Sequence, residues 1–356
     1  MIILVRFSQF YIKTNFLGAR FYRMSKDIKL SVLDQSPVKA GLDAYAAIQE
    51  TIDLARLCDG LGYSRYWLAE HHASDALAGC SPEVLLGRIG AETKNIRLGS
   101  GGIMLPHYSP YKVAENFRIL ETLYPNRIDL GIGRAPGTDP FTAAAIRYGS
   151  QLGPEYFPTM VLDLQALLND TDPKTPGLEN ARAFPKVNTP PHLWMLGSSE
   201  DSCALAASTG LPYNFAYFIN PEIRTDIFDN YRDNFQPGPN CDAPRSVLTV
   251  FTICADTEKE AIELSRSRDL WFIRLLRGNP GPFPSIKEAT DYPYSERERQ
   301  VIKENQHRRV VGTPEQVCES LELFTKRFKL DELMILTITH SETARRHSYE
   351  LLNSAW

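Results

Sequence analysis

The feature that most limits what this chain can become is a rhythm. From Ile28 onward, short β-rich runs alternate with longer stretches of helical periodicity, and such alternation is the signature of a parallel sheet built from βα units. Candidate strands fall at 28–33, 65–69, 96–104, 127–132, 192–197, 213–217, 246–254 and 332–338. Eight parallel strands can close on themselves, so the expected fold is α/β, a (β/α)8 TIM barrel with insertions. The 356 residues could also make two domains. Strand signals, however, continue on both sides of every break, so 25–356 is expected to be a single barrel domain with excursions.

Two excursions interrupt the rhythm. One is 170–191, rich in Pro, Asn and Thr; the other is 278–308, which opens Gly278-Asn279-Pro280-Gly281-Pro282 and turns highly charged. The second is expected to lack continuous helix and to form either a mobile lid over the barrel mouth or a variable surface insertion. The helices between strands carry their own start signals: Asp43 ahead of Ile48, Ile52 and Ala55, and the pairs Ser81-Pro82 and Ser109-Pro110. The first 24 residues hold Arg6, Lys13, Arg20 and Arg23 and no acid. They read as an organelle presequence or as translated sequence upstream of Met24, and the second is favoured: 1–24 is expected to be a disordered or non-native extension.

Composition narrows the partners. The 39 basic and 43 acidic side chains leave a formal charge of -4, and no basic cluster interleaves with aromatics, so nucleic acid is not an expected partner. No run of about 18 apolar residues exists, so no membrane span is expected. Cys58, Cys80, Cys203, Cys241, Cys254 and Cys318 lie scattered without metal-ligand spacing, which points to reduced thiols, a cytoplasmic location and no metal site.

In a barrel of this kind the chemistry sits at the C-terminal strand ends. There the chain places Asp34-Gln35-Ser36, Glu70-His71-His72, Met104 to His107, Gly133-Arg134, Gly197-Ser198-Ser199, Tyr217, Ala255-Asp256 and Thr339-His340. None is lysine, so Schiff-base chemistry loses support. Glu70, His71 and His72 are ligand types, but neighbours on an extended backbone point apart, so a single catalytic or packed histidine is the better reading. Gly131 to Gly137 departs from the dinucleotide spacing and carries Pro136 where a helix should open. Leu196 to Ser202 is more informative: a strand passes through Gly197 into a helix whose first turn is small and polar. Such a start suits a phosphate monoester, with Ser198, Ser199 and Ser202 as hydroxyl donors and Arg134 as the charge, although ordinary N-capping explains one of these serines as well.

Taken together, Leu33–Pro37, Tyr66–His72, Ile96–Pro106, Tyr124–Arg134, Leu196–Ser199, Gly210–Pro212 and Val311–Glu315 make a chain that resembles the luciferase-like monooxygenases across nearly all of 28–353. The resemblance implies a flavin enzyme that uses reduced FMN as co-substrate with O2 to oxygenate a small organic substrate. It implies FMN phosphate near Arg134 and the Ser198, Ser199 and Ser202 turn, a non-proline cis peptide at Gly101-Gly102 beneath the flavin ring, and His71 as the catalytic base. A homodimer through the helices after strands 2 and 3, and a separate flavin reductase as a further partner, follow from the same likeness. Other relatives use a deazaflavin, which is less expected here, and a non-catalytic flavin-binding protein on the same scaffold is the other alternative.

Overall fold

The computed structural model describes residues 28–150 and 152–356, so the extension expected at 1–24 lies outside the described residues. The strands are β1 (Lys29–Asp34), β2 (Arg65–Leu68), β3 (Arg97–Met104), β4 (Ile128–Gly133), β5 (His192–Gly197), β6 (Tyr213–Ala216), β7 (Ser246–Cys254), β8 (Arg309–Gly312) and β9 (Glu332–Leu336). All pair in parallel, and the ring runs β1 through β7 to β9 and back to β1. This is a closed eight-stranded α/β barrel. Every residue of β4 and β7 is buried, as expected of strands covered by helices outside and by barrel filling inside.

One strand was not anticipated. β8 pairs with the C-terminal half of β7, Phe251–Cys254, and stays outside the ring. Its four residues are too short to carry a periodicity of their own.

Helix starts follow the sequence in part. The Asp43 carboxylate accepts from Ala46 N at 2.9 Å, and the helix Ala44–Leu61 ends at Gly62, whose φ of 82° suits glycine. Ser81 and Ser109, by contrast, make no side-chain cap. The proline that follows each already sets the first helical turn and removes one N–H from those needing a partner, so the hydroxyl is not required.

The two excursions are more ordered than their composition suggests. Although 170–191 forms neither helix nor strand, the fully buried Arg118 guanidinium holds it by donating to Ala183 O at 2.7 Å and to the Asp170 carboxylate at 3.0 Å. The prolines of 278–308 do prevent a continuous helix, but two short ones form, Ile286–Asp291 and Glu296–Glu304, capped by Ser285 and Ser295. Nor is the segment wholly polar. Phe283 is buried, and its backbone pairs with Val38 and Ala40, which ties the segment to the barrel mouth.

The N-terminal strand ends are closed by charge. Arg65 donates to Asp129 at 2.7 Å and to Glu332 at 3.0 Å, Arg97 reaches Asp129 at 2.7 Å, and the Trp67 indole donates to the same carboxylate at 3.0 Å. Burial alone would raise the Asp129 carboxyl, but the two guanidiniums overcome it and hold the group down at about 2.

Candidate active site

At the C-terminal strand ends two cavities share a wall. The first, about 480 Å3, is lined by Gly101, Gly102, Arg134, Leu196, Ser198 and Thr249 among others. The second, about 370 Å3, is lined by residues that include His71, Arg268, Trp271, Phe272, Phe283 and Arg308. Leu33, Gly101, Met104, Ala135, Phe218 and Ile219 face both. Each lies within the size range of small-molecule sites, and each is mostly apolar with a few polar groups.

The glycines on the shared wall are there for packing. The Gly101–Gly102 peptide is cis, and the β3–β4 register slips between Gly101 and Ile103, so the cis peptide implied by the family resemblance coexists with an irregularity in the strand. A Cβ on Gly102 would come within 2.6 Å of Leu196 and 2.8 Å of Gly131 O, and one on Gly101 within 2.6 Å of Leu33. No larger residue fits.

At the polar end of the first cavity, three predicted residues come together with divided duties. Ser199 and Ser202 form a reciprocal capping box on the helix Glu200–Ser208, and Ser202 also bonds the Tyr213 hydroxyl at 2.9 Å. Ser202 donates its hydroxyl to Ser199 O at 2.8 Å, whereas Ser199 Oγ accepts from Ser202 N and can still donate its own proton into the cavity. Gly197 is required by the same cap, because a Cβ there would stand 2.1 Å from Ser202 Oγ. The Ser198 side chain, in contrast, has no protein partner among the described residues, while its carbonyl accepts from Asn220 at 2.8 Å. Arg134 is half exposed and only 3.7 Å from Asp201 on the first helical turn, close enough to reach an anion at the helix start. A free hydroxyl, a nearby guanidinium and unpaired N–H groups at the first turn fit a phosphate monoester. Tyr213, which props this turn, gave no signal in the sequence beyond its place in a strand.

His71 stands on the wall of the second cavity. Its backbone N–H donates to Gly79 O at 2.8 Å, but its Nδ1 is buried without a partner. Burial, and to a smaller extent the neighbouring His72, depress it to about 4, so the ring is neutral at pH 7 and free to accept a proton. Glu70 and His72 are engaged elsewhere: Glu70 accepts from His72 at 2.7 Å, from the Tyr108 hydroxyl at 2.8 Å and from Met104 N at 3.1 Å. This cluster fixes the loop that carries His71. Asp34, at the end of β1, is likewise structural, since it pairs with Arg345 at 2.6 Å inside a buried network that includes Glu50 and Lys39. Among the described residues no group of three or more His, Cys, Asp or Glu is placed to hold a metal ion.

Sequence reading passed over the helix Glu258–Leu276. Arg268, Trp271, Phe272 and Leu275 occupy positions i, i+3, i+4 and i+7 and all line the second cavity. The signal was legible: an arginine set into an otherwise apolar helical stripe.

Comparison with known proteins accords with this geometry. The family model for the luciferase-like monooxygenases matches residues 28–328. The chain is 44% identical over 92% of its length to the uncharacterised protein YwcH of Bacillus subtilis (strain 168), covering 99% of it. It is 35% identical, again over 92%, to the N-acetyl-S-alkylcysteine monooxygenase of the same organism, covering 98% of it. Among solved structures, apo-MsnO8 superposes with a TM-score of 0.83 at 40% identity over 92% of this chain and 97% of that one. The oxygenating constituent of 3,6-diketocamphane monooxygenase, solved with FMN, shares the fold at a TM-score of 0.67 and 18% identity, over 92% of this chain and 97% of that one. A closed barrel with a phosphate-suited helix start, an irregular cis wall and a family match across most of its described length leads to one conclusion: the chain belongs to the luciferase-like monooxygenase family.

Proposed function

We propose that this protein is a monooxygenase that takes reduced FMN and O2 and oxygenates a small organic substrate. The observation that carries the reading is the pair of cavities meeting at Gly101 and Met104, one ending in a phosphate-suited turn and the other largely apolar, aromatic and flanked by His71. Arg134, Ser198 and the first turn of Glu200–Ser208 would hold the phosphate, and Gly101, Gly102 and Leu196 would support the ring. Bound reduced FMN would supply the electrons that activate oxygen. The chain's own contribution is to exclude water through Trp271, Phe272 and Phe283, to orient the substrate, and to accept or return a proton at His71.

The relative that acts on N-acetyl-S-alkylcysteines makes a thioether the first substrate to try, beside a ketone and an alkane. Oxygen consumption with enzymatically reduced FMN, followed by mass spectrometry of the product made under 18O2, tests the proposal. Incorporation of one labelled atom supports it. Turnover with a reduced deazaflavin and none with reduced FMN would replace it. We also propose a homodimer through the helices Pro82–Glu92 and Pro110–Leu123, where Val84, Ile119 and Leu123 are exposed; light scattering at a monomer mass would remove that assignment.

A further inference from the structure

Arg268 is an uncommon arginine. It is 8% exposed, forms no ion pair, and donates no hydrogen bond to any described residue. The adjacent Asp269 is already engaged by both outer nitrogens of Arg309. What surrounds Arg268 is aromatic: its guanidinium lies 4.7 Å from the Phe251 ring centre and 6.0 Å from that of Phe272. Such contacts lower the cost of burying the charge without consuming its N–H donors. Nor is it alone in lacking partners. Two more lining residues, Trp271 and Arg308, carry buried donors without an acceptor, the indole Nε1 and the guanidinium Nε respectively. Arg308 spends another nitrogen on Ile219 O at 2.9 Å and sits 5.8 Å from the Phe272 ring.

Buried polar groups are paired in native proteins, and each exception calls for a reason. Three unpaired donors on one cavity wall share a single one: the acceptor comes from a ligand. The lining carries two guanidiniums against one carboxylate, Glu70, and Glu70 is spoken for by His72, Tyr108 and Met104 N. One positive charge is left over. We infer that the second cavity binds an organic monoanion, a carboxylate on an apolar body, with the carboxylate on Arg268, aided by Trp271 and Arg308. Arg268 and Trp271 line this cavity only, whereas Gly101 and Met104 face both cavities. A molecule anchored by its carboxylate would therefore extend its apolar body toward the wall where the cavities meet. This rests on the proposed function by naming the substrate class of the same site.

The test is calorimetric titration of the full-length chain, with and without saturating FMN, using 4-phenylbutyrate and its uncharged counterpart 4-phenylbutyramide. The carboxylate should bind about tenfold or more tightly than the amide, the usual scale for a charge-assisted hydrogen bond. Arg268→Met should abolish that preference, and Arg268→Lys should restore part of it. The ligand-free Arg268→Met protein should also melt at a higher temperature than the parent, because an unpaired buried charge has been replaced by an apolar side chain. Equal binding of carboxylate and amide to the parent protein, or a lower melting temperature for Arg268→Met, overturns the inference, the latter by making Arg268 a structural residue. Failure of that variant to fold counts with the lower melting temperature as a structural role, and Arg308→Gln, expected to lose part of the carboxylate preference, serves as the second variant. Incorporation of one 18O atom into product with reduced FMN under 18O2, run on the same preparations, separates the two proposals. Carboxylate preference without oxygenation sustains the anion site and removes the monooxygenase reading; oxygenation with no such preference does the reverse.

Discussion

The two ends of the barrel treat buried charge in opposite ways. At the N-terminal strand ends Arg65, Arg97, Asp129 and Glu332 satisfy one another within hydrogen-bonding distance. At the mouth, Arg268 has no acid partner, and His71, Trp271 and Arg308 keep buried nitrogens unpaired. A buried polar group without a partner costs about 1–3 kcal/mol, more when charged, so the mouth gives up stability that the base retains. The contrast lies in where the unpaired donors sit: Trp194 Nε1, packed against Arg65 at the base, is buried without a partner too, but those of Trp271 and Arg308 line a cavity that a ligand can enter.

The largest effect should come from breaking the paired end. Asp129→Ala leaves Arg65 with Glu332 as its one carboxylate and Arg97 with backbone acceptors alone, and should destabilise the protein by about 3 kcal/mol in denaturant titrations. A cost below about 1 kcal/mol would show that the base is not the fully coupled network described.

Acid sharpens the contrast next. The His71 imidazole is depressed to about 4 in the fold, so between its ordinary 6.5 and 4 the unfolded chain binds the extra proton. Stability from this group is present above pH 6.5 and drains away as pH falls to 4, by at most roughly 3 kcal/mol. Asp129 behaves like any lowered carboxylate: its contribution holds above about 4 and is lost as pH falls toward 2. His71→Gln should make the first decline shallower, with His192, also depressed to about 4 by burial, supplying the remainder, and leave the second; an unchanged slope between pH 6.5 and 4 would mean that His71 is not buried neutral.

Turnover comes third. His71→Gln should lower oxygenation by about 10²-fold or more while reduced FMN affinity stays near the parent value, as expected of a proton-handling group on the substrate side of the wall. A matching loss of FMN affinity would make His71 a scaffold residue. Smallest is Arg134→Ala, expected to weaken FMN by about tenfold and riboflavin hardly at all. Equal weakening of both would detach Arg134 from the phosphate.

Much of the barrel was legible because strands buried on both faces are nearly continuous apolar runs, and all eight ring strands fall within the segments read from sequence or one residue beyond them. β8 was not, since Arg309–Gly312 is a strand only by pairing with the end of β7. In the site, Ser198, Ser199 and Ser202 were found as a group from local composition, but which hydroxyls stay free to donate depends on the helix cap and on Tyr213, on the next strand. Residue chemistry alone did not separate His71 from His72, and only the family resemblance singled out His71. What divides them is Glu70 and Tyr108 closing on His72, a contact between loops that no local pattern encodes. Arg268 was passed over because strand ends drew attention away from a helix that leans over the mouth.

The most direct measurement is an anaerobic titration of the full-length chain with reduced FMN beside reduced riboflavin. If the unpaired groups at the mouth are kept for ligand, with Arg134, Ser198 and the helix start at Glu200 waiting for a phosphate, FMN should bind about tenfold or more tightly than riboflavin. Equal affinities, or no binding of either, would contradict the assignment of this end of the barrel to a flavin.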